Sequence, residues 1–261
     1  ALMSGDIQFG FTGPGGHTSC ADNSVHVISL TQIGNADALV VSKESGIKSL
    51  KDLEGKKIAT QLGTAGEILL DLICEANNID KDKLQIINMD MTGAVTAFVS
   101  GHVDAVATWG QHVTMIHEKM GDDAIELVRV GEYRDRLAIL GSIIATPKYI
   151  EENEDIVLKF VKALNKCYDF RYEHFDETIK ATADFLDVDP EVLKKDSDNG
   201  LNLSAKMLKE YYDDGTYIQF YSNQLKYFQE TGKVTATDVK PEDYVRMDII
   251  GKAFDEHFKN K

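Results

Sequence analysis

One pattern occurs twice in this chain, and it limits the fold more than any other feature. Ala1-Leu2-Met3-Ser4-Gly5-Asp6-Ile7-Gln8-Phe9-Gly10-Phe11-Thr12-Gly13 is echoed by Ala97-Phe98-Val99-Ser100-Gly101-His102-Val103-Asp104-Ala105-Val106-Ala107-Thr108-Trp109. Each copy runs from Ala and an apolar pair through Ser-Gly and a polar residue into strand-forming residues. Self-similarity of this kind predicts two helix–Ser-Gly–strand–loop units, and hence two similar α/β lobes with a loop at the carboxyl end of each strand. The second copy follows a full set of βα units. The first follows none, so the opening strands of lobe one are expected upstream of residue 1.

The stretches between and beyond the copies fit this scheme. Residues 25–30, 38–41, 57–60, 84–89 and 103–108 are short apolar runs of strand type, and 137–144 is another apolar run. Ile68, Leu69, Leu72 and Ile73 mark an amphipathic helix, and residues 92–100 a second one. From Pro147 onward the pattern is helical, with Ile156, Phe160, Val161, Leu164 and Tyr168 at spacings of three and four. Strand–helix alternation followed by helices predicts an α/β fold: mixed sheets flanked by helices, with a helical carboxyl third. The aromatic run Tyr211, Tyr212, Tyr217, Phe220, Tyr221, Tyr227 and Phe228 is expected to pack that helical layer onto lobe one.

Composition removes several functions. With 28 basic and 43 acidic side chains the formal charge is −15, so no nucleic-acid partner is expected. No apolar run approaches the ~20 residues that span a bilayer. Cys20, Cys74 and Cys167 are too far apart for a metal pair and odd in number, which predicts buried hydrophobes instead of a disulfide framework. The spacing of His102, His112 and His117 does not match a helical i, i+4 pair, so no metal site is expected. No cofactor fingerprint is present, and no nucleophile–base arrangement points to catalysis.

Candidate binding residues lie where strands end. Thr12, Gly13, Pro14, Gly15 and His17 form a Gly-rich turn after the first strand, where backbone can approach a ligand closely. Gly63, Thr64, Ala65 and Gly66 open a helix after the 57–60 strand and are read as an anion cradle at the positive end of that helix. Thr64 and Glu67 also have the spacing of a capping box. Trp109, the only tryptophan, ends the second repeat, with Gln111 and His112 after it as hydrogen-bonding candidates. Net charge does not exclude an anionic ligand, because at physiological salt distant carboxylates are screened within about 8 Å.

Residues 42–59, Ser-Lys-Glu-Ser-Gly-Ile-Lys-Ser-Leu-Lys-Asp-Leu-Glu-Gly-Lys-Lys-Ile-Ala, resemble the inter-lobe segment of bacterial ABC-transporter solute-binding proteins, in the branch handling sulfonates, taurine, nitrate and thiamine-pyrimidine precursors. The likeness continues through Gly63-Thr64-Ala65, the Ser100-Gly101-x-Val103-Asp104-Ala105 step and Trp109, and covers nearly the whole chain. It departs at Gly110-Gln111-His112, where relatives commonly read acid–Pro–Tyr. The resemblance implies a two-lobed type II periplasmic-binding-protein fold, with 1–44 in lobe one, 45–135 as lobe two, and 136–261 returning to lobe one with the carboxyl helices. It further implies an extracytoplasmic protein, periplasmic or a lipoprotein, monomeric when full length, that closes on a small solute and docks on an ABC permease without catalysis. No leader is present in this sequence. The alternatives are an enzyme on the same fold, either a pyrimidine-precursor synthase or a menaquinone-pathway lyase, and an effector-sensing domain. The family's amino-terminal strand and helix are expected upstream, as roughly 50–80 further residues. Failing that, lobe one is expected to complete itself by pairing with another molecule, since an exposed strand edge is aggregation-prone.

Overall fold

The structure is a computed structural model and describes residues 1–197 and 200–259. In chain order the strands and helices begin β1 (Gly10–Thr12), α1 (Thr18–Ala21), β2 (His26–Ile33), β3 (Ala38–Ser42), β4 (Lys57–Thr60), α2 (Ala65–Asn77), β5 (Gln85–Asn88) and α3 (Met91–Val99). Then come β6 (Ala105–Thr108), α4 (Gly110–Met120), β7 (Ala124–Arg129) and β8 (Leu140–Ala145). The remainder is helical: α5 (Pro147–Glu152), α6 (Glu154–Glu173), α7 (Phe175–Leu186), α8 (Pro190–Asp196), α9 (Ala205–Asp213), α10 (Thr216–Glu230), α11 (Pro241–Tyr244) and α12 (Met247–Phe258).

Two compact units result. Unit 1 comprises Ala1–Ile33, Leu140–Leu193 and Leu201–Lys261, and unit 2 comprises Gly34–Ile139 and Lys194–Gly200. Strand β3 lies within the 1–44 stretch expected for lobe one, yet it pairs with β6 and β7 in the sheet of unit 2.

Unit 2 holds a mixed sheet of order β5-β4-β6-β3-β7. Strands β5, β4 and β6 run parallel, and β3 is antiparallel to both β6 and β7. Strands covered on both faces read as continuous apolar runs, and Ala105-Val106-Ala107 and Leu39-Val40-Val41 are all fully buried. Helices α3 and α4 close one core around Val40, Ala59, Val95, Phe98, Val106, Val113 and Ile116. Helix α2 packs its Ile68, Leu69, Leu72 and Ile73 stripe inward.

Unit 1 holds a three-stranded antiparallel sheet, β1-β8-β2, with Gly10 opposite Ile144 and Ile33 opposite Leu140. Strand β2 carries two register shifts, around Ile28 and Thr31. Ile28 is buried among Val157 and Val161 of α6 and Ile249 and Ala253 of α12. Next to it the Leu30 amide donates to the Tyr217 hydroxyl at 2.6 Å, and Ser29 Oγ shares a hydrogen bond with Tyr168 OH at 2.9 Å. Tyr217, Tyr221 and Phe228 are buried, so the carboxyl aromatic run does serve as packing. Tyr217→Phe should cost about 1–3 kcal/mol in urea unfolding, because it leaves the buried Leu30 N–H without an acceptor. An unchanged midpoint would show that the hydroxyl is dispensable.

The beginning of the chain differs from the sequence expectation. Residues 2–5 form turns instead of a helix end, closed by Gly5 at φ +81°. The first strand is confined to Gly10–Thr12 and forms one edge of its sheet, with Phe11 61% exposed.

Candidate functional site

The candidate residues of unit 2 meet at one end of its sheet. Because β4 and β6 are parallel neighbours, the turn after Thr60 and the turn after Thr108 leave from the same edge. Strand β5 ends there too, and the edge is tied by Met89 N to Thr60 O at 3.1 Å and Leu62 N to Asn88 Oδ1 at 3.1 Å. Helices α2, α3 and α4 all begin here, so their positive ends converge.

Gly63, Thr64, Ala65 and Gly66 make the turn into α2. Gly63 has φ +78°, a conformation that side chains rarely adopt. The expected Thr64–Glu67 capping box does not form, since the Thr64 side chain makes no cap hydrogen bond. Glu67 Oε2 accepts from the Gly63 amide at 2.7 Å, but the Thr64 hydroxyl turns away and donates to Gln61 O at 2.6 Å. The amides of Ala65 and Gly66 stand in the first turn, where no intrahelical carbonyl reaches them. A Cβ on Gly66 would lie 2.5 Å from Thr60 Oγ1 and 2.6 Å from Ala107 O. Only glycine lets the helix start this close to the sheet.

Trp109 is the N-cap of α4, half-buried and packed against the α3/α4 core, with its ring 5.1 Å from that of His112. Burial lowers the His112 pKa, and its Nδ1 is buried without a hydrogen-bond partner. Gln111 is exposed. His102 bonds Ser100 Oγ and His117 bonds Glu126, so these two are occupied in local contacts.

Two residues at this edge escaped sequence reasoning. Asp37 immediately precedes β3, and the register places Ala38 opposite Thr108. Asp37 is 5% exposed, and among the described residues its carboxyl accepts only from the Gly110 amide, at 3.3 Å. Burial pushes its pKa up to about 6, against the weaker downward pull of that amide. Thr108 is fully buried, and its Oγ1 has no hydrogen-bond partner among the described residues. The available signal was an acid set into the apolar run Ala36-Asp37-Ala38-Leu39-Val40.

Thr12, Gly13, Pro14, Gly15 and His17 belong to unit 1. Pro14–His17 forms a single 3-10 turn, with the Gly16 amide on Gly13 O and the Thr18 hydroxyl on Gly15 O. Thr12, Gly13 and Gly15 are partly exposed, and Pro14 is buried. The His17 side chain points into the unit's interior, 2% exposed, with Nε2 2.9 Å from Ser142 Oγ, which in turn is 2.7 Å from Tyr221 OH. Burial lowers its pKa to about 4, with Gln224 pulling weakly the other way.

A family model described as NMT1/THI5 like matches residues 1–178. A binding protein of Brucella abortus is 29% identical over 250 residues, which are 96% of this chain and 77% of that protein. An aliphatic sulfonates-binding protein of Bacillus subtilis is 31% identical over 231 residues, covering 88% of this chain and 66% of the relative. Among solved structures, the periplasmic aliphatic sulphonate binding protein of Escherichia coli matches with TM-score 0.71 at 18% identity, over 96% of this chain and 84% of that one. The strand-end geometry and these likenesses agree: the chain belongs to the NMT1/THI5-like family and has the periplasmic-binding-protein fold.

Proposed function

We propose that this chain is the extracytoplasmic solute-binding component of an ABC importer, capturing a small anionic, sulfonate-like solute and handing it unchanged to a permease in the membrane. The observation that carries this reading is the start of α2. There, first-turn amides and the positive helix end meet the edge of the unit 2 sheet, and glycine brings them close to it. A sulfonate spreads its charge over oxygens that accept from several amides at once, which suits such an edge. The aliphatic sulfonate named for the Bacillus subtilis relative supplies the solute class.

Thermal unfolding and calorimetry with alkanesulfonates, taurine, nitrate and thiamine-pyrimidine precursors test it. A cognate solute at a hundred times its Kd should add about 2.7 kcal/mol of stability, and it should change Trp109 emission. Recovering the solute chemically altered at catalytic rates, or finding no stabilisation by any of these solutes, would overturn the reading.

A further inference from the structure

The opposite end of the unit 2 sheet carries an opening of its own. Strand β3 leaves the sheet there: Val41 lies opposite Ala105 at the start of β6, whereas Ala38 lies opposite Thr108 at its end. A cavity of about 350 Å³ opens between the end of β3, the carboxyl ends of α3 and α4, and the turn before β7. That volume is near the lower bound for small-molecule pockets, about 300–1,000 Å³, so it fits a single small metabolite. Its apolar part is Val99 and Met120, both partly buried, over the fully buried Phe98. Its charged part is Lys43, Glu44, Lys119 and Asp123, all exposed, so a solute reaches the cavity directly from solvent. Two ammonium and two carboxylate groups thus share one small lining. Among the described residues, none of the four forms an ion pair or a side-chain hydrogen bond. Elsewhere on the surface such neighbours do pair, as Lys159 does with Asp155 and Lys209 with Asp213. A ligand with a single charge satisfies half of this lining and is repelled by the other half. A zwitterion satisfies both: its carboxylate accepts from the lysines, and its ammonium donates to the acids beside the negative ends of two helices. In so small a cavity the two charges must sit close together, with an apolar branch left for Val99 and Met120.

We propose that this cavity is a second binding site, which takes a free α-amino acid with an apolar side chain. Lys43 and Lys119 hold the carboxylate, Glu44 and Asp123 hold the ammonium, and the side chain lies on Val99 and Met120. The site is at the other end of the sheet from the start of α2, so it goes beyond the solute-binding reading and does not depend on it.

The test is calorimetry with L-leucine and its two single-charge analogues, 4-methylpentanoate and 3-methylbutylamine. Leucine should bind the wild type about tenfold more tightly than either analogue, the worth of one charged contact. Two double variants then separate the charges. Lys43→Gln with Lys119→Gln should weaken leucine about fivefold and leave 3-methylbutylamine unchanged. Glu44→Gln with Asp123→Asn should weaken leucine by a similar factor and leave 4-methylpentanoate unchanged. All four side chains are exposed, so both proteins should unfold at the wild-type urea midpoint. No binding of leucine at millimolar concentrations overturns the site. An analogue that binds as tightly as leucine, or a loss in only one of the double variants, overturns the zwitterion class. Leucine affinity unchanged in both variants places the amino acid elsewhere and overturns the site as well. Alkanesulfonate affinity should be equal in all three proteins, so a failure here leaves the solute-binding reading standing.

Discussion

Taking the protein from pH 7.5 to pH 4.5 should cost unit 1 about 2–3 kcal/mol through His17 alone. The folded pKa of this histidine is lowered to about 4, because its ring is buried against Ser142 and Tyr221. In the unfolded chain it titrates near 6.5. Below 6.5 the unfolded state binds a proton that the folded state refuses, so stability is complete above that value and drains away as the pH falls towards 4. Urea unfolding at both pH values, for the wild type and for His17→Asn, isolates the effect from other titrating groups. The variant should lose less stability on acidification than the wild type, by about that amount. Parallel losses in the two proteins would mean that the ring is not held neutral. Amide exchange at Ser142 should locate the loss in β8.

Gly66→Ala should be among the most damaging single methyl additions in unit 2, destabilising it by about 2–4 kcal/mol. Alanine is ordinarily the better helix former, so propensity alone predicts a gain. The steric term decides. The new Cβ would lie 2.6 Å from a backbone oxygen, Ala107 O, which cannot swing aside, and 2.5 Å from the Thr60 hydroxyl that donates to that same oxygen. Gly141→Ala provides the contrast. Its Cβ meets the Phe11 ring at 2.8 Å, but that ring is largely exposed and can rotate away, so less than about 1 kcal/mol is expected. Gly66→Ala should also weaken solute binding by moving the first-turn amides of α2. A Gly66→Ala protein as stable as the wild type would show that the start of α2 is not clamped to the sheet.

Much of the fold was legible because its elements are locally consistent. Lys57–Thr60 was readable as a strand in full, and the α3 helix was readable to within a residue, since apolar periodicity survives in short windows. Ala1–Ser4 shares letters with Ala97–Ser100 but forms turns, so the likeness of the two copies does not extend to the secondary structure before the strand. At the site, glycines near strand ends drew attention to Gly63–Gly66 and Trp109, which the structure gathers at one end of the unit 2 sheet. Thr64 illustrates the limit of spacing: Thr-x-x-Glu fits a capping box, yet the hydroxyl finds a better acceptor in Gln61 O. Asp37 and Thr108 could not be found from spacing at all. What makes them matter is the antiparallel pairing of β3 with β6, a long-range register that no local window contains.

The sheet of unit 1 has a consequence for how the chain is made. Its strand β8 lies between β1 and β2, and the pairing of Gly10 with Ile144 can form only once β8 has been made. The whole continuous stretch Gly34–Ile139 leaves the ribosome or crosses a membrane in the interval, carrying every strand of the unit 2 sheet. Synthesis order therefore favours unit 2 folding first, while β1 and β2 stay unzipped for lack of β8. A segment kept open in this way stays threadable until late in synthesis.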